Sequence, residues 1–289
     1  MIPVLSKVLL HSLTSKIKKM AKTVLVTGAS SGIGKANAIY LAENGYNVYG
    51  AARRMERMQS LKEYGIKPIT LDVSKDESIV ACVEKIFKET GSIDVLINSA
   101  GLGSYGALED VPIAEAKNQL EINLFGVARL IQLILPQMRK NRYGKIVNIS
   151  SIGGRVGLPM GVWYHASKFA IEGLSDSLRN EVRQFGIDVI VIEPGGTKSE
   201  MVAIGAKDLM RVSGNTVYKE LANSLQKMYT DMEKNSAEPI VIAKLIKKGI
   251  EAKHPKTRYI GGTMARPMLF MRKILSDKLF DKMVMSKMK

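Results

Sequence analysis

The chain has little of what disulfide-stabilised, metal-binding or membrane-spanning proteins need. It contains one cysteine, Cys82, and three histidines among 289 residues. No apolar run approaches the roughly 18 residues of a membrane span. A single cysteine excludes an internal disulfide and fits a reducing compartment such as the cytoplasm. Cys82 lies in a helical apolar pattern and is expected to pack in the core. No Cys, His or carboxylate cluster has metal-ligand spacing, so we expect no metal.

Acidic residues are scarce at both ends of the chain. The net charge is +16, of which residues 1–22 carry +5 and residues 253–289 carry +8, which leaves only +3 for the long segment between them. Because the charge belongs to the ends and not to the middle, the pattern disfavours nucleic-acid binding by the whole domain. Basic ends beside apolar residues fit an anionic membrane surface or an acidic partner better.

Residues 1–21 are predicted to form a basic, amphipathic N-terminal appendage. Apolar residues from Val4 to Ile17 recur at helical spacing, and most of the lysines follow them. A secretory signal has the reverse order, with charge before the apolar part. The segment is therefore a peripheral membrane anchor, a disordered tail, or an upstream extension of a protein whose core begins at Met20. We favour a loosely attached appendage.

From Lys22 onward, short apolar runs alternate with helical patterns. Apolar runs without polar alternation are typical of strands buried on both faces, and strands that alternate with helices indicate a parallel sheet covered by helices. We therefore predict one α/β domain over residues 22–262, with a Rossmann-like, doubly wound parallel sheet of about seven strands. The predicted strands are Thr23–Thr27, Asn47–Ala51, Pro68–Leu71, Ile93–Ile97, Lys145–Ser150, Asp188–Glu193 and Thr257–Ile260. The predicted helices are Ile33–Asn44, Asp76–Glu89, Pro112–Arg139 and Trp163–Phe185.

Two later segments complete the predicted organisation. Residues 199–238 are expected to form helices over the functional site, and residues 263–289 a basic amphipathic helix with its regular part over Met268–Met285. The first segment is expected to line a pocket for apolar ligands, because unbranched thioethers adapt to varied apolar shapes. Plain helix packing is the alternative for each of its apolar residues, which are Met201, Val202, Ile204, Leu209, Met210, Met228 and Met232.

A glycine-rich loop follows the first predicted strand and opens a helix. Its glycines allow a tight turn and a close approach of the backbone to a pyrophosphate, and the helix N-terminus supplies free N–H groups. This strand–turn–helix context favours a dinucleotide site, with an ordinary glycine turn as the alternative. The residues assigned to the cofactor are Gly28, Ser30, Ser31, Gly32, Ile33 and Gly34.

The second predicted strand ends in two arginines, Arg53 and Arg54, with no carboxylate before Glu56. An acid at this place typically holds the ribose hydroxyls of NAD, whereas forked guanidinium donors suit the 2′-phosphate of NADP. We therefore predict NADP(H) as the cofactor, with Arg53 as the first choice for the phosphate and Arg54 as the second. Solvated surface arginines are the alternative.

Tyr164 and Lys168 stand four residues apart in a predicted helix. Residues at this spacing share a helix face, so the phenol and the ammonium group can point into one site. A cation about 4 Å from the phenol, at an effective dielectric near 20, would favour the phenolate by up to about 4 kcal/mol. The pKa of Tyr164 would then fall from about 10 toward neutrality by up to about three units. Such a tyrosine could act as a catalytic acid or base, although the same spacing also occurs as a solvated surface pair.

From about Lys22 to Ser199 the chain resembles the short-chain dehydrogenase/reductase family, and most closely its reductases of hydroxysteroids, retinoids and related lipids. The matching elements occur in the family's order; they are Thr27–Gly34, Leu71–Val73, Asn98–Gly101, Asn123, Ser150-Ser151, Tyr164 with Lys168, and Pro194-Gly195. One departure is Ser99, where the family more often has Asn or Ala.

The resemblance implies catalytic roles for four residues. Ser151, thirteen residues before Tyr164, would be the catalytic serine, and Tyr164 the acid/base. Lys168 would tune Tyr164 and bond the nicotinamide ribose, and Asn123 would hold a water that connects Lys168 to solvent. The alternatives are a loop hydroxyl for Ser151 and a capping or exposed side chain for Asn123. His165 is expected to pack or to contact a loop, because its position points away from the face of Tyr164.

The resemblance also implies further cofactor contacts. Asp72 and Val73 would border the adenine. The turn from Asn98 through Ala100 to Gly101 would pass the adenosine ribose, and Asn98 would also brace the sheet. The remaining contacts, around the nicotinamide, would come from Pro194, Gly195 and Ser199, with Thr197 as the alternative to Ser199.

These residues together predict an NADP(H)-dependent oxidoreductase that interconverts a carbonyl and an alcohol by hydride transfer. The expected substrate is lipophilic: a steroid, a retinoid or a long-chain acyl ketone. The alternatives are a reductase of small ketones or 3-oxoacyl compounds, and a non-catalytic dinucleotide sensor. The resemblance implies a homo-dimer or homo-tetramer formed by the helices that carry Asn123 and Tyr164. We expect a cytoplasmic protein with peripheral membrane contact through its basic ends and with no nucleic-acid partner.

Overall fold

A seven-stranded, entirely parallel sheet forms the centre of the computed structural model, which describes residues 21–288. The strand order is β3-β2-β1-β4-β5-β6-β7, so the order reverses between β1 and β4. In open sheets of this kind, ligands bind at that reversal, outside the carboxyl ends of the strands. The strands are β1 (Thr23–Thr27), β2 (Asn47–Ala52), β3 (Lys67–Thr70), β4 (Val95–Asn98), β5 (Gly144–Ile149), β6 (Ile187–Pro194) and β7 (Arg258–Gly261).

Helices cover both faces of the sheet. Helices α1 and α8 pack together over one face, and α2, α4 and α5 cover the other, each face closing over its own apolar cluster. The helices are α1 (Gly32–Glu43), α2 (Asp76–Thr90), α3 (Ile113–Leu120), α4 (Gly126–Lys140), α5 (Val162–Val182), α6 (Glu200–Ser213), α7 (Lys219–Lys234), α8 (Pro239–Glu251), α9 (Ala265–Ile274) and α10 (Asp277–Ser286). The predicted doubly wound α/β fold is confirmed, as is the burial of Cys82.

The predicted helix Pro112–Arg139 is present as a helical segment over residues 113–140, but it is not α-helical throughout. Its pattern is divided into α3 and α4 by one π-helical turn, Glu121–Phe125, which contains Asn123. A π turn adds a residue to the local hydrogen-bonded loop and is frequent at functional sites.

The C-terminal region is two helices, α9 and α10, and not the single helix predicted over Met268–Met285. Leu275 and Ser276 have extended backbone angles, with ψ of 144° and 159°, and separate the two. Serine competes for backbone hydrogen bonds inside helices and favours the position just before a helix. The apolar spacing continues through the break, which is why the spacing alone suggested one helix.

A third apolar cluster lies beyond the carboxyl ends of the strands. It joins α6 and α7 to α9 and α10, through residues such as Leu209, Leu225, Phe280 and Val284. The predicted helical excursion over residues 199–238 is therefore present, and the C-terminal helices pack on it. Within residues 21–288, no helix combines the length and the apolar character that crossing a bilayer requires. The prediction for the basic N-terminal appendage concerns residues outside the described part, apart from Ala21.

Candidate functional site

One cavity of about 1220 Å³ lies at the carboxyl ends of the strands. It collects nearly all the residues that the sequence pointed to, from the carboxyl ends of six strands and the segments that follow them, and from helix α5. Those that line it are Gly28, Ser30, Ser31, Gly32, Ile33, Gly34, Arg53, Arg54, Asp72, Val73, Ala100, Gly101, Ser151, Tyr164, Lys168, Pro194, Gly195, Thr197 and Ser199. Asn98 and Asn123 are buried behind its wall.

The glycine loop has a geometry that larger residues could not adopt. Gly28 and Gly32 have positive φ angles, 70° and 52°, in the region that favours glycine. A Cβ atom on Gly28 would lie 2.9 Å from the Cα atom of Ala100, and one on Gly34 would lie 2.3 Å from the carbonyl oxygen of Gly28. The loop thus turns tightly onto α1 and leaves its backbone N–H groups beside the cavity, an arrangement that fits a pyrophosphate.

Both predicted phosphate-binding arginines are exposed at the cavity edge. Arg54 lies 3.5 Å from a carboxylate oxygen of Glu200, which also pairs with Arg57 at 2.8 Å. Burial acts to raise the pKa of Asp72, but hydrogen bonds from Ser74 and the charge of Arg53 outweigh it and hold that pKa below its usual value. The charge of Arg53 therefore acts on Asp72, whereas Arg54 is shared with an acid from α6 that the sequence did not reveal.

Asn98 braces the sheet from inside. Its side-chain amide donates to Oδ1 of Asn148 on β5 at 2.8 Å, and the residue is almost fully buried. Thr27 Oγ1 accepts hydrogen bonds from the backbone N–H groups of Ser99 and Ala100. The bracing contact expected of Asn98 is therefore present, while the cavity wall itself is formed by the residues after it.

Helix α5 presents Tyr164 and Lys168 to the cavity, with Ser151 opposite them after β5. The Lys168 Nζ atom lies 5.9 Å from the centroid of the Tyr164 ring and donates a 3.0 Å hydrogen bond to the carbonyl oxygen of Ile149. Ser151 Oγ accepts from the N–H of Gly153 at 3.0 Å. The tyrosine, lysine and serine are thus brought together as the spacing predicted.

The predicted direction of the Tyr164 pKa shift is wrong. Burial raises the pKa of Tyr164 above its ordinary value, and a hydrogen bond with Ser151 only partly opposes the rise. Burial also lowers the pKa of Lys168 to about 8, against the charge of Glu172, which raises it. The expectation counted the attraction between ammonium and phenolate but not the cost of placing either charge away from water.

Asn123 is buried in the π turn, which excludes the capping or exposed position considered for it. Its amide group exchanges hydrogen bonds of 2.8 Å with the backbone N–H and carbonyl of Leu102. It also donates to Ser167 Oγ at 3.0 Å, and Ser167 in turn donates to the carbonyl oxygen of Tyr164. Asn123 thereby connects the loop after β4 to the helix that carries Tyr164.

Two tyrosines that the sequence did not single out stand beside Tyr164. The Tyr105 ring centroid lies 5.4 Å from that of Tyr164 and 5.5 Å from that of Tyr229. Tyr105 comes from a loop and Tyr229 from α7, so no local spacing could have linked them. His165, as predicted, makes a loop contact, with Nδ1 2.9 Å from the carbonyl oxygen of Gly153.

A charged network that the sequence also did not reveal lies behind Lys168. Arg258 on β7 bonds Glu172 of α5 at 2.9 Å, Glu193 of β6 at 3.2 Å and Asp176 of α5 at 2.8 Å. Glu193 is fully buried and Arg155 reaches it at 3.1 Å. Glu172 stands one helical turn beyond Lys168, so this network sets the electrostatic surroundings of the ammonium group.

The far wall of the cavity is apolar. The lining includes five of the seven residues predicted for it, namely Met201, Val202, Ile204, Met228 and Met232. Leu209 and Met210 instead pack in the third apolar cluster, as the alternative allowed. The C-terminal helices complete this wall with residues not predicted to face a pocket, which are Met268, Met271, Met283, Val284 and Met288. Among the described residues, no group of His, Cys, Asp or Glu could hold a metal ion.

A parallel sheet with a glycine turn and a Tyr–Lys helix at its carboxyl ends defines a class of dinucleotide-binding α/β proteins. The family model described as short chain dehydrogenase matches residues 22–209, and the chain belongs to this family. It is therefore an oxidoreductase of the short-chain dehydrogenase/reductase type.

Relatives and solved structures cover most of the chain. A 3-ketodihydrosphingosine reductase of Bacteroides thetaiotaomicron is 39% identical over 236 residues, which are 81% of this chain and 86% of the relative. An NADPH-dependent 3-dehydrocapnine reductase of Ornithobacterium rhinotracheale is 32% identical over 267 residues, 89% of this chain and 94% of the relative. The crystal structure of a short-chain dehydrogenase from Streptomyces avermitilis is 30% identical, with a TM-score of 0.78, covering 93% of this chain and 97% of its own.

Proposed function

We propose that the protein is an NADPH-dependent reductase that converts the ketone of a long-chain lipid to a secondary alcohol. The observation that carries the proposal is the composition of one cavity. A phosphate-binding glycine turn, the Tyr164 phenol and a methionine-rich wall all line it, so a dinucleotide and an apolar chain would meet at the phenol.

The residues present fit NADP. The turn at Gly28 to Gly34 would hold the pyrophosphate, Arg53 the 2′-phosphate, and Asp72 and Val73 the adenine side. The strand β2 ends without an acid that would repel the phosphate. When bound, this cofactor supplies the hydride for carbonyl reduction. The 3-dehydrocapnine reductase relative, which is named NADPH-dependent, supports the same choice.

The proton would come from Tyr164. Because burial raises the pKa of Tyr164, the phenol stays protonated at neutral pH and is suited to donate a proton to an oxygen that gains negative charge. Ser151 would donate a second hydrogen bond to that oxygen and stabilise the developing charge. Lys168, with a pKa of about 8, exists in both protonation states near neutral pH and is suited to return a proton to the phenolate.

The substrate class follows from the wall and from the relatives. Methionines from α6, α7, α9 and α10 converge on the cavity and offer an adaptable apolar surface to a flexible chain. Two relatives are named for the reduction of 3-ketodihydrosphingosine and 3-dehydrocapnine, which are both 3-oxo lipids. We therefore expect a long-chain 3-oxo compound, with 3-ketodihydrosphingosine as the first substrate to test.

Steady-state oxidation of NADPH and NADH with this ketone and with a short, water-soluble ketone tests the proposal. We expect kcat/KM to be highest for NADPH with the long-chain ketone. Tyr164→Phe should lower kcat by at least about a hundredfold, the usual contribution of general acid catalysis. Tyr64→Phe is the matched control, because Tyr64 lies outside the cavity and is partly exposed. Turnover of small polar ketones alone would refute the substrate class, and a fully active Tyr164→Phe variant would refute the acid role of Tyr164. Cofactor binding without turnover of any ketone by the wild type would favour the dinucleotide-sensor alternative.

We further propose a homo-oligomer in the cytoplasm. Apolar side chains are exposed on the helical segments that carry Asn123 and Tyr164, including Phe125 and Phe169. A second copy of the chain could cover them, in keeping with the oligomers that the family resemblance implies. The mass measured by sedimentation equilibrium should therefore be two or four times the 31.8 kDa of one chain. A monomeric mass at micromolar concentration would contradict this.

A further inference from the structure

Helix α9 has two apolar faces. Met268 and Met271 line the cavity, whereas Phe270 and Ile274 point outward and are 61% and 56% exposed. An ordinary surface helix has one apolar face toward the core and a polar face toward water. The outward apolar residues of α9 therefore need a different explanation from those that close the cavity.

Basic residues accompany the outward apolar ones. On α9, Arg266 and Lys273 lie three or four residues from Phe270 and so share its face. On α10, the exposed Leu279 follows Lys278 directly, and Lys282 lies three residues from both Leu279 and the exposed Met285. From Ala265 to Ser286 the chain has five lysines and arginines and two acids, and one of those acids, Asp277, is paired with Arg272 at 2.7 Å. The outward surface of α9 and α10 is thus apolar and positively charged at once.

The cavity opens beside this surface. Ile204, Met232 and Met264 each line the cavity and are also exposed, so its rim is apolar where α6, α7 and the start of α9 meet. The same C-terminal helices therefore form the cavity wall and the outer surface next to the rim. A lipophilic substrate could pass from an apolar medium into the cavity without crossing water.

We propose that the outward surface of α9 and α10 binds an anionic phospholipid bilayer, with the cavity rim turned toward the lipid. Lysine and arginine beside exposed apolar side chains are the features by which helices lie in the interface of an anionic membrane. A second copy of this chain is a poorer occupant, because a symmetric contact would set the positive surface against itself. The value of such docking for catalysis rests on the proposed lipid substrate, but the docking itself does not.

Vesicle co-sedimentation of the full chain tests the docking without any substrate. The probes are phosphatidylcholine vesicles with and without about 30% phosphatidylserine. We expect binding only to the anionic vesicles, and expect Phe270→Ser with Ile274→Ser to weaken it by about tenfold or more, since two apolar anchors are lost. Val217→Ser is the matched control: Val217 is 91% exposed but lies outside α9 and α10, and its replacement should leave binding unchanged.

The results separate docking from catalysis. Phe270 and Ile274 lie outside the cavity lining, so the double variant should retain wild-type turnover of a short soluble ketone and lose turnover of a vesicle-borne ketone. Equal vesicle binding by wild type and double variant, or equal binding to neutral and anionic vesicles, overturns the proposal. A third result also overturns the proposal: the wild type does not bind vesicles, and the double variant has a different oligomeric mass from the wild type. This result would assign the surface to contact with a second copy of the chain. Failure of the proposed function would appear separately, as absence of ketone turnover by a wild-type protein that still binds vesicles.

Discussion

Arg258 forms ion pairs with three carboxylates, two on helix α5 and one on β6. Its guanidinium group contacts Glu172, Glu193 and Asp176 at 2.8 to 3.2 Å. The side chain of Glu193 is fully buried and that of Glu172 is 7% exposed, so neither can turn to water if the guanidinium group is removed. Arg155 would still reach Glu193, from a half-exposed position.

We predict that Arg258→Met lowers the free energy of unfolding by about 3 kcal/mol at neutral pH, the lower end of what breaking a buried ion pair costs. Methionine fills similar space, so the effect reports the charge and not a cavity. The lower end is appropriate because Arg155 remains and because a buried carboxyl can escape part of the cost by binding a proton.

The dependence on pH has a definite sign. Burial already raises the pKa of Glu172, and Arg258 opposes that rise, so the variant should raise the pKa further. A carboxyl whose pKa is raised in the folded state destabilises the fold when it is ionised, and stability returns as pH falls through the folded pKa. The deficit of the variant should therefore shrink as pH falls through the raised pKa of Glu172 toward the ordinary pKa of a glutamate.

Urea unfolding followed by circular dichroism measures the deficit. Arg129→Met is the control, because it removes an arginine from an exposed pair with Asp76 and should change stability little. A deficit of less than about 1 kcal/mol at neutral pH would show that the buried carboxylates do not depend on Arg258. A deficit that grows as pH falls would refute the assignment of the effect to the charge of Glu172.

Three further predictions concern the cofactor and the proton. Gly34→Ala places a Cβ atom 2.3 Å from the carbonyl oxygen of Gly28, so the turn must shift. Calorimetry should therefore show that the affinity for NADPH falls by about tenfold or more. Unchanged affinity would mean that the turn does not hold the phosphates. Arg53→Ala should raise the KM for NADPH about tenfold and leave that for NADH unchanged, through loss of one charge-assisted contact; equal effects on both would remove the phosphate role. The pKa of Lys168 is about 8, so kcat/KM should decline as pH rises through that value and the ammonium charge is lost. Glu172→Gln should move this decline to lower pH in a pH–rate profile, since the charge of Glu172 raises the Lys168 pKa; no movement would uncouple the two groups.

The fold was largely predictable because its signals are local. Seven apolar runs became the seven strands within about two residues at each end, as expected for doubly buried strands bounded by turns. The π turn at Glu121–Phe125 and the break at Leu275 and Ser276 were missed. At both places the apolar spacing continues without a proline or glycine signal strong enough to mark the interruption, and tertiary contacts decide the backbone.

The site was predictable where one segment carries it. The turn from Gly28 to Gly34 and the pair Tyr164 and Lys168 are each defined by spacing within a few residues. Tyr105 and Tyr229 come together only through the fold, from positions more than a hundred residues apart. The cavity-facing side of α10, with Met283 and Val284, was missed for the same reason. Its apolar face was visible in the sequence, but the cavity that this face covers was not.

Helix α5 connects the cavity to the ion pairs of Arg258. Tyr164, Lys168, Glu172 and Asp176 follow one another at intervals of four residues, so one helix face runs from the cavity to Arg258. Burial lowers the Lys168 pKa, and only the charge of Glu172 counters it. Arg258 opposes the rise that burial causes in the pKa of Glu172 and so favours the charged carboxylate. The ammonium charge beside the phenol therefore depends on ion pairs that lie outside the cavity, and a substitution at Arg258 should alter the pH profile of catalysis as well as the stability of the fold.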